Sequence, residues 1–319
     1  MNDKLQKDDA IEIFQEINDI LQQSVNDQNP DLRKNVIFCL VEFKHLLEER
    51  IDIFLKQYSG NQQNAKNIPM PEKEHTGGED AYYANSKLLA VADGVGGWAR
   101  QGIDSSLYSK GLCKHLSQLH NQNKNKYQNN PKQLIIDTFP YVQQITGSST
   151  LVVITINEEQ NKIFSSYIGD SGYFLYRLDK NKNAQLIFEF QEQQKAFNLT
   201  LLSKNQIQLG IHEGGNLPED SLEFEHDFQE DDILIIGSDG VFDNLNSEQI
   251  GKLVTKYSHS LKRLANVIAE TSFELSLNEE YDSPFAQKAR AQGIQFNGGK
   301  SDDITIIVAQ IKKKKKIDL

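Results

Sequence analysis

The sequence predicts a mixed α and β chain in which an N-terminal αα-hairpin precedes a larger, strand-rich domain. Three observations predict it. Residues 8–56 carry apolar side chains at helical spacing, residues 68–311 hold several short β-branched runs, and helical stretches separate those runs. At 319 residues the chain is long enough for one large domain or two small ones.

In order, residues 8–26 place Phe14, Ile17, Leu21 and Val25 on one helical face, with Asp8 or Asp9 able to cap the start. Pro30-Asp31 opens a second helix striped by Leu40, Phe43, Leu47, Ile51 and Phe54, and the two helices form the αα-hairpin. Polar residues 59–64 break the pattern, which sets the boundaries: 1–60 for the helical extension, 61–311 for the main domain and 312–319 for a lysine-rich tail. Strands are expected at 88–92, 150–156, 162–168, 173–178, 233–236 and 304–311. Helices are expected at 105–120, 247–257 and 261–277, and a surface loop at 121–131.

A net charge of −11 and a pI near 5.2 argue against nucleic acid as a partner. Cys39 and Cys113 are far apart and read as small apolar packing residues. No secretory pattern opens the chain, and the acids that precede Arg33 disagree with a mitochondrial presequence. The apolar stretch 36–55 contains Glu42, Lys44, Glu48, Glu49, Arg50 and Asp52, so no transmembrane segment is expected. The expected location is cytoplasmic or nuclear. Lys312 to Lys316 form a charged end, readable as a solvated tail, a lipid-binding patch or a nuclear signal.

The chemistry lies in acids at strand ends. Asp93-Gly94 follows Leu88-Leu89-Ala90-Val91-Ala92, Asp239-Gly240 follows Ile233-Leu234-Ile235-Ile236-Gly237, and Asp302-Asp303 precedes Ile304-Thr305-Ile306-Ile307-Val308. Glu79-Asp80 and Asp170 bring the number of acid-bearing segments to five. Any one Asp-Gly pair is an ordinary turn. Taken together, and if the strands share one end of a sheet, the acids would converge, repel one another and call for divalent cations. Oxygen ligands of this kind hold hard cations, and a paired site activates water against phosphorus. Asp243 reads equally as a cap for the helix starting near Ser247, and residues 169–172 read as a hairpin turn. The seven histidines show no ligand spacing.

Six segments, in order, carry a resemblance. They are Gly77-Gly78-Glu79-Asp80-Ala81-Tyr82, Val91-Ala92-Asp93-Gly94-Val95-Gly96-Gly97-Trp98, Gly147-Ser148-Ser149-Thr150, Ile168-Gly169-Asp170-Ser171-Gly172, Ser238-Asp239-Gly240-Val241-Phe242-Asp243 and Gly298-Gly299-Lys300-Ser301-Asp302-Asp303-Ile304-Thr305. The chain resembles the PP2C-type metal-dependent serine/threonine phosphatases over 244 residues, from Ile68 to Ile311. Within them it is most similar to the PTC7-like branch, by the first two segments and by Tyr281-Asp282-Ser283-Pro284-Phe285-Ala286-Gln287.

The resemblance implies an α+β fold, two antiparallel β-sheets in a sandwich flanked by helices. It implies hydrolysis of phosphoprotein monoesters by a metal-bridged hydroxide, using two Mn²⁺ or Mg²⁺ ions. Asp93 would bridge the ions with the Gly94 carbonyl on one, Asp239 and Asp302 would hold the other, and Glu79 and Asp80 would act directly or through water. Asp170 and Asp243 match positions for a weaker third ion, and Asp303 would stand behind the ligands. Two departures follow. Many members carry a histidine where this chain has Val95, which leaves the general acid unassigned. The phosphate-binding arginine near the start of many members is not found, with Lys73, Arg100 and Lys300 as possible substitutes, each of which reads first as an ordinary surface cation. The resemblance also admits an organellar location, against which the acidic N-terminus argues. The alternatives are a pseudophosphatase that binds without turnover and a nucleotide-binding oxidoreductase on Gly94, Gly96 and Gly97, whose spacing is wrong for it. The N-terminal hairpin is expected to dock in cis or to bind a partner.

Overall fold

The computed structural model describes residues 62–193, 208–210 and 215–312, all within one compact unit, Gly60–Leu319. The hairpin expected within residues 1–60 and the lysine tail beyond Lys312 lie outside the described residues.

Ten strands and seven α-helices are described. The strands are β1 (Gln62–Ile68), β2 (Asp80–Ala84), β3 (Leu88–Asp93), β4 (Leu151–Asn157), β5 (Lys162–Ile168), β6 (Gly172–Leu178), β7 (Ala184–Glu189), β8 (Leu222–Asp227), β9 (Ile233–Gly237) and β10 (Ile304–Gln310). The helices are α1 (Ser106–Gln122), α2 (Lys124–Tyr127), α3 (Pro131–Val142), α4 (Asp239–Phe242), α5 (Ser247–Tyr257), α6 (Leu261–Ser276) and α7 (Pro284–Ala291). One sheet runs β1-β10-β9-β6-β7 and the other β2-β3-β4-β5-β8, with every neighbouring pair antiparallel. This is the expected α+β sandwich.

Layering explains why the central strands read as unbroken apolar runs. On β3, Leu89 and Val91 join a core with Val152, Ile154 and the apolar residues of β9 and β10. The alternate residues Leu88, Ala90 and Ala92 face a second core built with Tyr108, Leu112 and Leu116 of α1 and Leu134 and Ile135 of α3. Helices α5 and α6 contribute Ile250, Val254, Leu261, Leu264 and Ile268 to the first core. A strand covered on both faces loses its polar alternation. Each such Leu or Ile contributes about 1.5–3 kcal/mol by leaving water.

The edges differ from expectation. The polar run taken as a breaker at 59–64 enters β1, which pairs with β10 from Gln62↔Gln310 to Ile68↔Ile304. An edge strand needs few apolar residues when its partner supplies the ladder. β2, β7 and β8, also missed, are likewise short edge strands, and in β8 only Phe224 and His226 turn inward while Glu223, Glu225 and Asp227 are exposed. The expected loop at 121–131 contains the end of α1 and all of α2, and α3 follows, opened by Asn130, which accepts from Gln133 N at 2.9 Å, and by Pro131.

The turn at 169–171 is not a hairpin. β5 belongs to one sheet and β6 to the other, so the segment carries the chain across the sandwich. In antiparallel register, the start of β2, the end of β3, the end of β5, the start of β6, the end of β9 and the start of β10 fall at one end of the molecule.

Candidate active site

The acid-bearing segments converge at that end. Asp80 and Asp93 are paired across β2 and β3. Ser238, which follows β9, donates from Oγ to Asp80 Oδ2 at 2.8 Å and accepts from Thr305 N of β10 at 3.0 Å, tying the two sheets together. Asp239 opens α4 directly behind it. Asp170 rides on the crossover, whose Ser171 hydroxyl meets Thr150 Oγ1 at 2.6 Å.

Three ammonium groups reach these acids, and those of Lys300 and Lys73 make the shortest contacts with the strand-end acids. Lys300 Nζ lies 2.5 Å from Asp239 Oδ2, 2.7 Å from Asp243 Oδ2 and 3.3 Å from Asp302 Oδ2. Lys73 Nζ lies 2.5 Å from Glu79 Oε2 and 3.4 Å from Asp303 Oδ2. Neither is the ordinary surface cation that the sequence favoured, because each is partly buried against acids from distant segments. Asp303 also accepts from Met70 N and Glu79 N, each at 2.7 Å, so it holds the 70–79 segment against β10 from behind the cluster. Asp243 does not cap α5: Asn246 does, in a reciprocal box with Gln249. A Cβ at Gly94 would meet the Glu79 carbonyl at 2.7 Å, and one at Gly240 would meet the Asp303 carbonyl oxygen at 2.1 Å, so both glycines are required by close backbone approach.

The electrostatics follow from crowding. Burial first, and then Asp80, Asp239, Asp302 and Asp170, push Asp93 well above the ordinary carboxylate range. Burial and then Asp303 raise Asp80 to about 7. Burial and then Asp239 raise Asp170. Burial by itself would lower Lys300, but Asp239, Asp243, Asp302 and Asp170 outweigh it and hold the amine charged. Oδ1 of Asp80 and Oδ1 of Asp239 are buried without a hydrogen-bond partner.

Unsatisfied buried carboxylate oxygens at mutually repelling acids fit a hard divalent cation, and the donors are all oxygen. Among the described residues, no three His, Cys, Asp or Glu side chains are gathered closely enough to form a coordination shell by themselves, the lysines standing between the acids instead. Every residue expected in the site lies in this region: Glu79, Asp80, Asp93, Gly94, Asp170, Asp239, Asp243 and Asp302. Missed were Glu192, which is paired with Lys288, and Lys288 itself, whose Nζ is 3.5 Å from Asp243 Oδ1. They lie outside every strand-end acid motif and carried no local signal. None of the described histidines belongs to the cluster, and Cys113 is core, its thiol pushed up to about 12 by burial and then by Asp80.

A cavity of about 210 Å³, lined in part by Lys87, His120 and Lys124, lies at the opposite end of the β2-to-β8 sheet. It contains none of these acids, so the site is assigned from the carboxylates rather than from concavity. Among the described residues no helix is long and apolar enough to cross a membrane.

The family model described as stage II sporulation protein E (SpoIIE) matches residues 84–312. Probable protein phosphatase 2C 80 of Arabidopsis thaliana is 32% identical over 250 residues, covering 76% of this chain and 57% of the relative. The protein phosphatase PTC7 homolog fig of Drosophila ananassae is 31% identical, covering 73% of each. Among solved structures, the photosystem II phosphatase PBCP superposes with a TM-score of 0.71 at 29% identity, covering 80% of this chain and 100% of that one. The PPM Ser-Thr phosphatase MsPP from Mycobacterium smegmatis has a TM-score of 0.54 at 17% identity, covering 78% and 98%, and shares the fold.

Proposed function

The chain belongs to the protein phosphatase 2C family, and from that premise we propose that it is a protein serine/threonine phosphatase that hydrolyses phosphomonoesters on phosphoprotein substrates with Mn²⁺ or Mg²⁺. The observation that carries the reading is the gathering of Asp80, Asp93, Asp239 and Asp302 from both sheets, with buried Oδ1 atoms of Asp80 and Asp239 unpartnered.

Asp93 with the Gly94 carbonyl, Asp239, Asp302, Glu79 and Asp80 would hold the divalent ions. Asp170 and Asp243 would serve a weaker third ion. Bound divalent ions supply a water activated at neutral pH and charge neutralisation at the phosphoryl oxygens. The chain's own residues do the positioning. Ser238 orients Asp80, and Asp303 fixes the segment bearing Glu79. Val95 offers no proton, so protonation of the leaving oxygen falls to water. Lys73 and Lys300 are engaged by acids, which leaves Arg100, exposed in the Gly96–Gln101 turn after Asp93, as the candidate phosphate-binding cation.

The test is hydrolysis of an aryl phosphate and of a phosphoserine peptide in Mn²⁺, Mg²⁺ and EDTA. Activity that depends on metal is expected. Activity undiminished in EDTA would overturn the reading, and metal binding without turnover would identify a pseudophosphatase.

A further inference from the structure

Lys300 is built into the acid cluster. Its backbone is clamped on both sides by buried Asn244, which accepts from Lys300 N at 2.9 Å and donates through Nδ2 to Lys300 O at 2.9 Å, while the same Nδ2 reaches Gly240 O at 3.0 Å. Its side chain lies over the Phe285 ring, with Nζ 5.2 Å from the centroid. The ammonium group therefore reaches Asp239, Asp243 and Asp302 from a fixed stem rather than from a mobile surface chain. Asp239 is divided between two demands, since Oδ2 is held by Lys300 and Oδ1 is buried and unpartnered.

Asp239, Asp243 and Asp302 around Lys300, together with the Lys288–Glu192 pair beside Asp243, leave a net charge of −2. A divalent cation would neutralise them better than the amine does, but it needs the same oxygens. We propose that Lys300 is a tethered monovalent cation that competes with divalent ions for Asp239, Asp243 and Asp302 and holds the cluster together when they are absent. The side chain thereby sets the concentration of divalent ion at which this part of the site fills. The inference rests on the metal-dependent reading above.

The experiment is Mn²⁺ binding to the full chain by equilibrium dialysis and calorimetry, comparing wild type with Lys300→Met and Lys300→Arg. Lys300→Met should bind one further ion, or bind the weakest ion at least tenfold more tightly, and its melting temperature should rise more with Mn²⁺. Lys300→Arg, which keeps the charge, should follow the wild type. Equal stoichiometry and affinity in all three would overturn the proposal. Absence of Mn²⁺ binding by the wild type would instead overturn the metal-dependent reading itself. Should Lys300→Met fail to fold, reductive methylation of wild type reads the same competition. Lys300 should be protected in EDTA and become reactive as Mn²⁺ displaces it, and a reactivity unchanged by Mn²⁺ would overturn the proposal.

Discussion

At the scale of single residues, the site is a problem of like charges crowded into a largely buried corner. Asp93 is crowded by four other acids, and among the described residues it has no counter-ion of its own comparable to Lys300 or Lys73. Asp93→Asn should lower metal-dependent turnover by roughly a thousandfold or more, because charge stabilisation by a bound ion is worth several kcal/mol. In EDTA the same variant should melt no lower than wild type, since one repelling charge has gone. The check is an aryl phosphate assay beside a melt; near wild-type rates would remove Asp93 from the site. The strand-end acids were legible in the sequence because Asp and Gly after a β-branched run are conspicuous. Lys300 read as a surface cation, because its partners Asp239 and Asp243 are some sixty residues away. Glu192 and Lys288 carried no signal, since each acquires its meaning from the other across 96 residues.

At the scale of elements, the site depends on backbones that nearly touch. α4 passes so close to the Asp302-Asp303 segment that Gly240→Ala would drive a methyl group into the Asp303 carbonyl, 2.1 Å from the ideal Cβ. The variant should lose about 3 kcal/mol, the upper end of ordinary overpacking, measured by denaturant unfolding. An unchanged midpoint would mean that the two segments separate freely. β1 tests the domain boundary. A chain beginning at Asn61 retains all seven register pairs with β10 and should keep its metal-dependent activity, whereas one beginning at Pro69 uncovers the edge of β10 and should lose stability and aggregate. If the shorter chain melted like the longer one, β1 would be dispensable and the boundary expected near residue 60 would be misplaced. β1 went unread because its residues, Gln62 to Ile68, are mostly polar and the pairing comes from β10.

At the scale of the whole molecule, convergence of the acids couples stability to metal and to pH. Divalent ions bind the assembled cluster and not the dispersed chain, so Mn²⁺ should raise the melting temperature. The pH dependence follows from Asp80, whose folded pKa near 7 lies above the ~4 of an unfolded aspartate. Between those values the folded state holds the extra proton, so stability falls as pH rises, by an amount on the order of 4 kcal/mol for Asp80 alone. Asp93 and Asp170 act in the same direction. Melts from pH 5 to 8 should therefore decline in EDTA. In Mn²⁺ they should decline less or not at all, because the ion binds the ionised acids. Parallel slopes in the two conditions would show that these carboxylates do not meet a common cation.

The central strands were legible from the chain alone, since burial on both faces leaves continuous apolar runs at 88–92 and 233–236 and a nearly continuous one at 304–311. The sequence also determined which acids sit at strand ends, because β-branched residues and Asp-Gly turns act locally. Tertiary structure decided the rest. Whether residues 169–172 fold back or cross to the other sheet cannot be read from a turn, yet the crossing is what delivers Asp170 to the cluster. Whether Asp243 caps a helix or faces Lys300, and whether Lys300 meets water or three carboxylates, depends on contacts between segments distant in the chain. Apolar periodicity reports burial one element at a time, whereas a charge acquires its role from whatever the fold places beside it.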